Sequence, residues 1–375
     1  MTKKILFIMP SLIGGGAENA LIKYLKAIDY TKYEVTLLLF CLKGVYVEEV
    51  PQNVKLLYLF KNHNLVRILE YLQKRKDITW PLKMRFNRVV KEKYDTAICF
   101  LDSNVTDLLF FLKGDTKKVS FVHTSFISNK NFNKFYQNPA YLNRVKTQRY
   151  AKLDTIVFVS NEAKLEFEKV MGKYKDMRVL YNLFDEKEII EKSLMPLDSF
   201  DDKTFSFVAV GSLSPVKGYD LLIKAASIVK NIGKKFKVHI IGKGTEEERL
   251  KKLANRLDLS NTVLFHGYQK NPFSYIKNGN VFVMTSVSEA LPSVLCEAII
   301  IGKPILITNT AGCREVIEYG KYGMMTDRNA NALADQMSAF IDNDIMIEKY
   351  EQLSKKRRKI FANNKILEQF YDIIY

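Results

Sequence analysis

Phe207-Val208-Ala209-Val210-Gly211-Ser212-Leu213-Ser214-Pro215-Val216-Lys217-Gly218 is the stretch whose reading decides the fold. A continuous apolar run ends at Gly211. A short polar loop then delivers Lys217 one residue before Gly218, where the helical period of Tyr219–Asn231 begins. An apolar strand, a glycine turn and an amphipathic helix form the first half of a strand–helix–strand unit. Such a strand is buried on both faces of a parallel sheet. A lysine beside a helix N-terminus can neutralise a diphosphate, because the helix N–H groups point the same way.

The alternation continues downstream. Strands are expected at Phe205–Val210, Lys237–Ile241, Thr262–Phe265, Val281–Met284 and Ile305–Thr308. Helices are expected at Glu246–Leu257, Val294–Ile301 and Ala330–Ile341. Upstream the same grammar gives strands at Ile5–Met9, Val35–Phe40, Lys55–Leu59, Thr96–Phe100, Val119–Val122, Thr155–Val159 and Arg178–Tyr181. Helical patterns cover Glu18–Ala27 and Asn161–Val170.

Between the two series, residues 182–204 hold Pro196, Asp198, Asp201 and Asp202 and little core period beyond a short helix near Lys187–Lys192, so the linker is placed there. The fold class is therefore α/β, with two doubly wound parallel-sheet domains in tandem. Domain boundaries are expected at 1–190 and 205–349. A final helix is expected near Lys349–Tyr371, and the C-terminal helix of 350–375 completes the first domain.

Composition agrees with two globular domains. The 375 residues are 47% hydrophobic and 26% charged, with 24 Phe and 20 Tyr, which excludes a disordered or fibrous chain. Lys and Arg number 58 against 41 Asp and Glu, a net charge of +17, so an anionic partner is expected. Cys41, Cys99, Cys296 and Cys313 form no CxxC pair and fit a reducing, cytoplasmic compartment. Lys3-Lys4 and the apolar run after them imitate a signal peptide, but Pro10 and the polar pair Glu18-Asn19 fit a first strand entering a glycine loop. No run of about 18 apolar residues predicts a membrane span.

Two loops carry candidate chemistry besides Lys217. Gly14-Gly15-Gly16-Ala17-Glu18-Asn19 follows a strand and opens a helix, a context suited to close approach by a phosphate or sugar. The dinucleotide fingerprint fails there: Asn19 stands where Gly or Ala is needed, and Phe40-Cys41-Leu42-Lys43 lacks the acidic residue that would end the second strand. In the second half, Ser288-Glu289-Ala290-Leu291-Pro292-Ser293 leads into the apolar helix Val294–Ile301. Pro292 or Ser293 starts it and Gly302 stops it. Glu297 then lies inside an otherwise apolar helix, where a carboxylate is costly unless it is paired or reserved for a ligand.

These motifs together resemble the group 1 family of retaining glycosyltransferases, which have the GT-B architecture of two Rossmann-like domains facing a central cleft. The resemblance covers nearly the whole chain. It rests on Gly14–Glu18, His123-Thr124-Ser125, Gly211–Gly218, Glu289-x7-Glu297, Gly312-x-x-Glu315, and Gly320-x-x-Gly323 followed by Asp327 and Ala332-Leu333-Ala334. It implies a retaining transfer from a nucleotide-sugar donor, most commonly a UDP-sugar, to a glycan or lipid-linked acceptor in surface polysaccharide or glycolipid synthesis.

By resemblance, Glu297 holds the ribose and Lys217 the diphosphate. Glu289 with the backbone of Ala290, Leu291 and Pro292 contacts sugar and phosphates, near Gly211, Ser212 and Ser293. His123 sits by the transferred sugar and Gly16 by the diphosphate. His123, Glu289 and Lys217 are the catalytic candidates. Ser212 departs from the pattern, because many members carry Arg there; Arg314 or Lys243 could replace the missing cation. No cofactor or metal is demanded, and Asp342-Asn343-Asp344 is read as an accidental Asp-x-Asp.

Residues 61–93 hold ten basic side chains, among them Arg67, Lys74, Arg75, Lys76, Lys83, Arg85 and Arg88, against Glu70, Asp77 and Glu92. Leu65, Ile68, Leu69 and Leu72 share a helical face, with Trp80 and Phe86 nearby. A basic amphipathic surface in the first domain, which by the resemblance binds the acceptor, points to an anionic membrane, hence to a peripheral position at the inner face of the cell membrane. Lys355-Lys356-Arg357-Arg358-Lys359 reads as a solvated helix face. A sugar-nucleotide epimerase of the same architecture and a non-enzymatic basic protein for membrane or nucleic acid are the competing readings. No nucleic-acid-binding module supports the last, so nucleic acid is not an expected partner.

Overall fold

The computed structural model describes residues 2–61, 79–127, 136–197, 200 and 203–375. The chain divides into two compact units, Met1–Leu183 with Asn363–Tyr375, and Phe184–Ala362.

In the first unit, seven strands form one parallel sheet: β1 (Lys3–Met9), β2 (Tyr33–Cys41), β3 (Val54–Phe60), β4 (Thr96–Cys99), β5 (Lys117–Val122), β6 (Thr155–Phe158) and β7 (Met177–Val179). Their order is β3-β2-β1-β4-β5-β6-β7, so the order reverses between β1 and β4. The inner strands are largely apolar because helices cover both faces. One face buries Phe7, Tyr24, Phe100 and Phe121 with Phe370. The other buries Phe86, Phe126, Tyr150 and Phe158. Each such side chain contributes about 1.5–3 kcal/mol by leaving water.

The C-terminal helix Asn363–Ile374 is part of this unit. Phe370 lies 4.8 Å from Tyr24 and 6.3 Å from Phe7, ring to ring. Tyr371 stacks on Tyr33 at 5.4 Å, and its hydroxyl oxygen accepts from the Asp29 N–H at 3.0 Å. Thr96 Oγ1 donates to the carbonyl of Ile374 at 2.9 Å.

The second unit has six parallel strands: β8 (Ser206–Val210), β9 (Lys237–Ile241), β10 (Val263–Phe265), β11 (Val281–Met284), β12 (Ile305–Thr308) and β13 (Met324–Thr326). The order is β10-β9-β8-β11-β12-β13, with the reversal between β8 and β11. Helix Ser293–Ile301 is buried from Leu295 through Ile301. It packs on its sheet and on helices Glu186–Ser193 and Asp344–Arg357, so an apolar surface all round is what its position requires.

Two expectations change. The unit boundaries fall at 183/184 and 362/363 rather than near 190–205 and 350, because helices Glu186–Ser193 and Asp344–Arg357 pack within the second unit. The single helix expected near Lys349–Tyr371 is two helices, separated by a 3-10 turn at Arg358–Phe361. One strand, β13, was not expected from the sequence. No helix among the described residues is long and apolar enough to cross a membrane. The four cysteines are buried and form no disulfide.

Candidate functional site

In an open parallel sheet, ligands settle at the carboxyl ends of the strands where the order reverses. In the second unit those strands are β8 and β11. The loop after β8 carries Gly211–Gly218, and the loop after β11 carries Thr285–Pro292. The structure brings the two together.

Thr285 Oγ1 donates to the carbonyls of Lys217 and Gly218, at 3.1 and 3.0 Å. The Val287 N–H donates to the Val216 carbonyl at 2.7 Å. A third loop, after β12, joins them: Thr310 Oγ1 donates to the Ser286 carbonyl at 2.6 Å, and the Gly312 N–H to the Glu289 carbonyl at 3.1 Å. Two glycines permit this closeness. Gly218 is left-handed at φ +64°, and a Cβ there would meet the Thr285 carbonyl oxygen at 2.3 Å. A Cβ on Gly312 would meet the carbonyl oxygens of Ala290 and Glu289 at 2.5 and 2.6 Å.

Across this junction, Lys217 Nζ donates to Glu289 Oε1 at 2.7 Å, and the two side chains are 19% and 13% exposed. Glu297 is buried in the second turn of helix Ser293–Ile301. That helix opens at Pro292 and helix Tyr219–Asn231 opens at Gly218, and neither N-cap supplies a side-chain acceptor. Two helix N-termini and an ammonium therefore converge on the carboxyl end of the sheet, an arrangement that favours an anion. Ala290, Leu291 and Pro292 are buried beneath it.

Ser212 is exposed, with its hydroxyl 3.2 Å from that of Ser214. Of the two bases considered as substitutes for an arginine there, Arg314 donates to Asn309 at 3.3 Å and Lys243 lies over Gly267. Arg328, which the sequence reading missed, has Nη2 3.3 Å from where a Gly218 Cβ would stand. It follows β13, the strand that also went unrecognised, so no motif marked it.

The first unit has its own strand-end loops. Gly16 opens helix Gly16–Ala27, but its N-terminus already holds an anion. The Glu18 carboxylate folds back on Gly15 and accepts from the Gly15 and Glu18 N–H groups, while burial pushes its pKa up. His123 follows β5, its ring 5.0 Å from that of Phe100. Its Nε2 is buried without a hydrogen bond among the described residues, and burial pulls its pKa down to about 3. The loop around it is fastened by buried Glu166, which accepts from the Ser125 hydroxyl and from the Ile127 N–H.

Arg67, Lys74, Arg75 and Lys76, and the stripe Leu65, Ile68, Leu69 and Leu72, lie outside the described residues. Helix Trp80–Val89 follows them. It buries Leu82 and Phe86 and exposes Trp80, Lys83, Met84 and Arg88. Arg85 does not join that exposed face, because its Nε donates to the Leu59 carbonyl at 2.8 Å. In the Asp-x-Asp look-alike, Asp342 pairs with Lys234 at 2.6 Å and Asn343 caps a helix. No group of three metal-ligating side chains occurs among the described residues.

Residues 195–360 match the family model for glycosyl transferases group 1. An uncharacterized glycosyltransferase of Methanocaldococcus jannaschii is 28% identical over 257 residues, 59% of this chain and 63% of that one. A Campylobacter jejuni N-acetylgalactosaminyltransferase, named for a diphospho-undecaprenol-linked substrate, is 28% identical over 194 residues, 51% of this chain and 52% of its own. The chain thus matches between half and under two thirds of the length of these relatives. Among solved structures, Anabaena HepE in complex with UDP superposes with a TM-score of 0.74 at 19% identity, over 98% of this chain and 100% of its own. That likeness establishes the fold, the GT-B architecture. Through residues 195–360, the chain is similar to the group 1 glycosyl transferases.

Proposed function

We propose that the protein is a retaining glycosyltransferase that moves a sugar from a nucleotide-sugar, a UDP-sugar in the first instance, to a glycan or lipid-linked acceptor. The observation that carries the reading is the Lys217–Glu289 pair at the β8/β11 reversal, between two helix N-termini without side-chain caps. The relatives add surface-glycan chemistry: besides the Campylobacter enzyme, they include a lipopolysaccharide core glycosyltransferase of Rhizobium meliloti.

The chemistry follows from charge. Breaking the bond from the anomeric carbon to the diphosphate leaves positive charge on the sugar ring and negative charge on the leaving group. A unit charge pair at about 4 Å is worth about 4 kcal/mol near a protein surface. A diphosphate carries at least two negative charges, so it outcompetes the single Glu289 carboxylate for Lys217. Glu289 is then released toward the sugar, and Lys217 with the helix N–H groups stabilises the departing diphosphate. Glu297 reaches the ribose hydroxyls from the helix below. His123, kept neutral, offers a hydrogen bond rather than a positive charge. Retention follows if the acceptor attacks the face from which the diphosphate departs. The chemistry described needs no metal.

For the acceptor side, exposed Trp80 and Met84 with Lys83 and Arg88 on one helix face support an anionic membrane surface, at the cytoplasmic face of the cell membrane. Binding to anionic vesicles no stronger than to neutral ones would remove that part of the reading.

A thermal-shift panel of nucleoside diphosphates and their sugars tests the donor. UDP or a UDP-sugar should raise the melting temperature of the native chain, and Lys217→Ala and Glu297→Ala should each lose the shift while still folding. Wild-type turnover in both variants would overturn the proposal.

A further inference from the structure

The first unit contains a second cluster of cations, remote in sequence from every motif described above. Helix Pro139–Arg144 runs directly into a π-helical turn, Val145–Arg149, and then a 3-10 turn, Tyr150–Lys152. Positions 144, 148 and 152 share one helical face. The wider i→i+5 turn brings position 149 to that face as well, and such turns recur at functional sites. Arg144, Gln148, Arg149 and Lys152 consequently line one cavity of about 250 Å3.

Arg149 is the built part of it. Its side chain is 3% exposed, and Asp107 takes Nε at 2.6 Å and Nη2 at 3.0 Å. Nη1 makes no hydrogen bond among the described residues. Behind it, Asp102 accepts from Tyr150 Oη at 2.7 Å and Thr106 Oγ1 at 3.4 Å, and burial pushes the Asp102 carboxyl up, toward its neutral form. Among the described lining residues, the cations Arg144, Arg149 and Lys152 stand with the single carboxylate of Asp107. Phe110 and Phe111 complete the wall with apolar surface. An orienting guanidinium, two further cations and an amide on one side, with two phenyl rings on the other, suit an anion joined to an organic group.

We propose that this cavity binds a phosphate ester or diphosphate group, the anionic part of the acceptor. The assignment to the acceptor rests on the proposed function; the anion site itself does not.

The single tryptophan, Trp80, adjoins Thr79, which lines the cavity, and so reports on it. The protein for the test carries Lys217→Ala, which removes the diphosphate cation of the second unit. Inorganic pyrophosphate should change Trp80 emission saturably. Adding Arg144→Ala and Lys152→Ala should weaken that binding at least tenfold with the fold intact by circular dichroism. A non-saturating response, or unchanged affinity in the combined variant, overturns the proposal.

Vesicles containing phosphatidic acid, against phosphatidylcholine alone, distinguish the two sources of the anion. Vesicle binding that pyrophosphate displaces identifies a lipid head group in the cavity. A pyrophosphate response without vesicle binding identifies a water-soluble phosphate ester. With Lys217 intact, the Arg144→Ala, Lys152→Ala protein should keep its UDP thermal shift. Loss of the cavity and loss of the donor site are thereby told apart.

Discussion

Lys217 and Glu289, 72 positions apart in the chain, share a hydrogen bond of 2.7 Å between two largely buried side chains. Under the proposed function the pair holds Lys217 ready for the diphosphate, so its two halves should fail differently. Lys217→Ala should weaken UDP binding by about 10–100-fold, the worth of one charge-assisted hydrogen bond. Glu289→Gln should leave UDP affinity unchanged or tighter, because Lys217 loses its competitor, while kcat falls by at least about tenfold. Calorimetric titration with UDP and steady-state turnover separate the two effects. Equal loss of UDP affinity in both variants would count against the exchange.

Gly312 gives the Glu289 loop its seat. Gly312→Ala places a methyl against the Ala290 and Glu289 carbonyl oxygens and removes room that backbone cannot easily return. The expected cost is about 1–3 kcal/mol of stability, with donor binding lost before global unfolding. Melting curves with and without UDP measure both. A variant with normal melting and a normal UDP shift would show that the close approach is dispensable.

His123 sets an acid limit. Its pKa falls from an ordinary 6.5 to about 3 through burial. Between those values the unfolded chain carries the extra proton, so stability declines as pH drops below 6.5 and the contribution is fully lost by about pH 3. His123→Gln should flatten that decline in a series of melting temperatures. In the native enzyme the imidazole stays neutral, so this residue should add no break near 6.5 to the pH profile of kcat/KM. A titration of the His123 ring by NMR with a midpoint near 6.5 would refute both statements.

Lys303 shows the same sign at higher pH. It is 8% exposed, its Nζ donates to the Lys277 carbonyl at 3.2 Å, and burial lowers its pKa from 10.5 to about 8. Below pH 8 the folded chain therefore holds a poorly solvated charge. Between about 8 and 10.5 the unfolded chain binds more protons, so stability rises with pH. Lys303→Met should stabilise at neutral pH by on the order of 1–3 kcal/mol, and the advantage should shrink toward pH 10. A lower melting temperature for the variant at neutral pH would show that the carbonyl contact outweighs desolvation.

The strands were legible where the apolar run was long and buried on both faces, as in Ile5–Met9 and Val281–Met284. β13 escaped because three residues, half-buried Met324 and Met325 and buried Thr326, carry no period. The break at Arg358–Phe361 escaped because the flanking residues are good helix formers, and only packing into two different units interrupts them. In the site, Lys217, Glu289 and Glu297 could be picked out because strand, loop and helix start are local signals. Arg328 beside Gly218, and Gly312 beneath Glu289, could not, since those approaches join loops far apart in sequence. The Glu18 carboxylate at the first glycine loop was equally hidden: spacing marks a helix N-terminus, but not whether a neighbouring acid already fills it.

Phe370, Tyr371 and Ile374 belong to the unit that begins at the opposite end of the chain. During synthesis, the first sheet must therefore wait with Tyr24 and Tyr33 uncovered until the whole intervening unit has emerged. The second unit has no such delay, since its residues are contiguous. A nascent chain stalled before Asn363 should accordingly hold a protease-resistant second unit and a protease-sensitive first unit, and chaperones should find their substrate at the amino-terminal end.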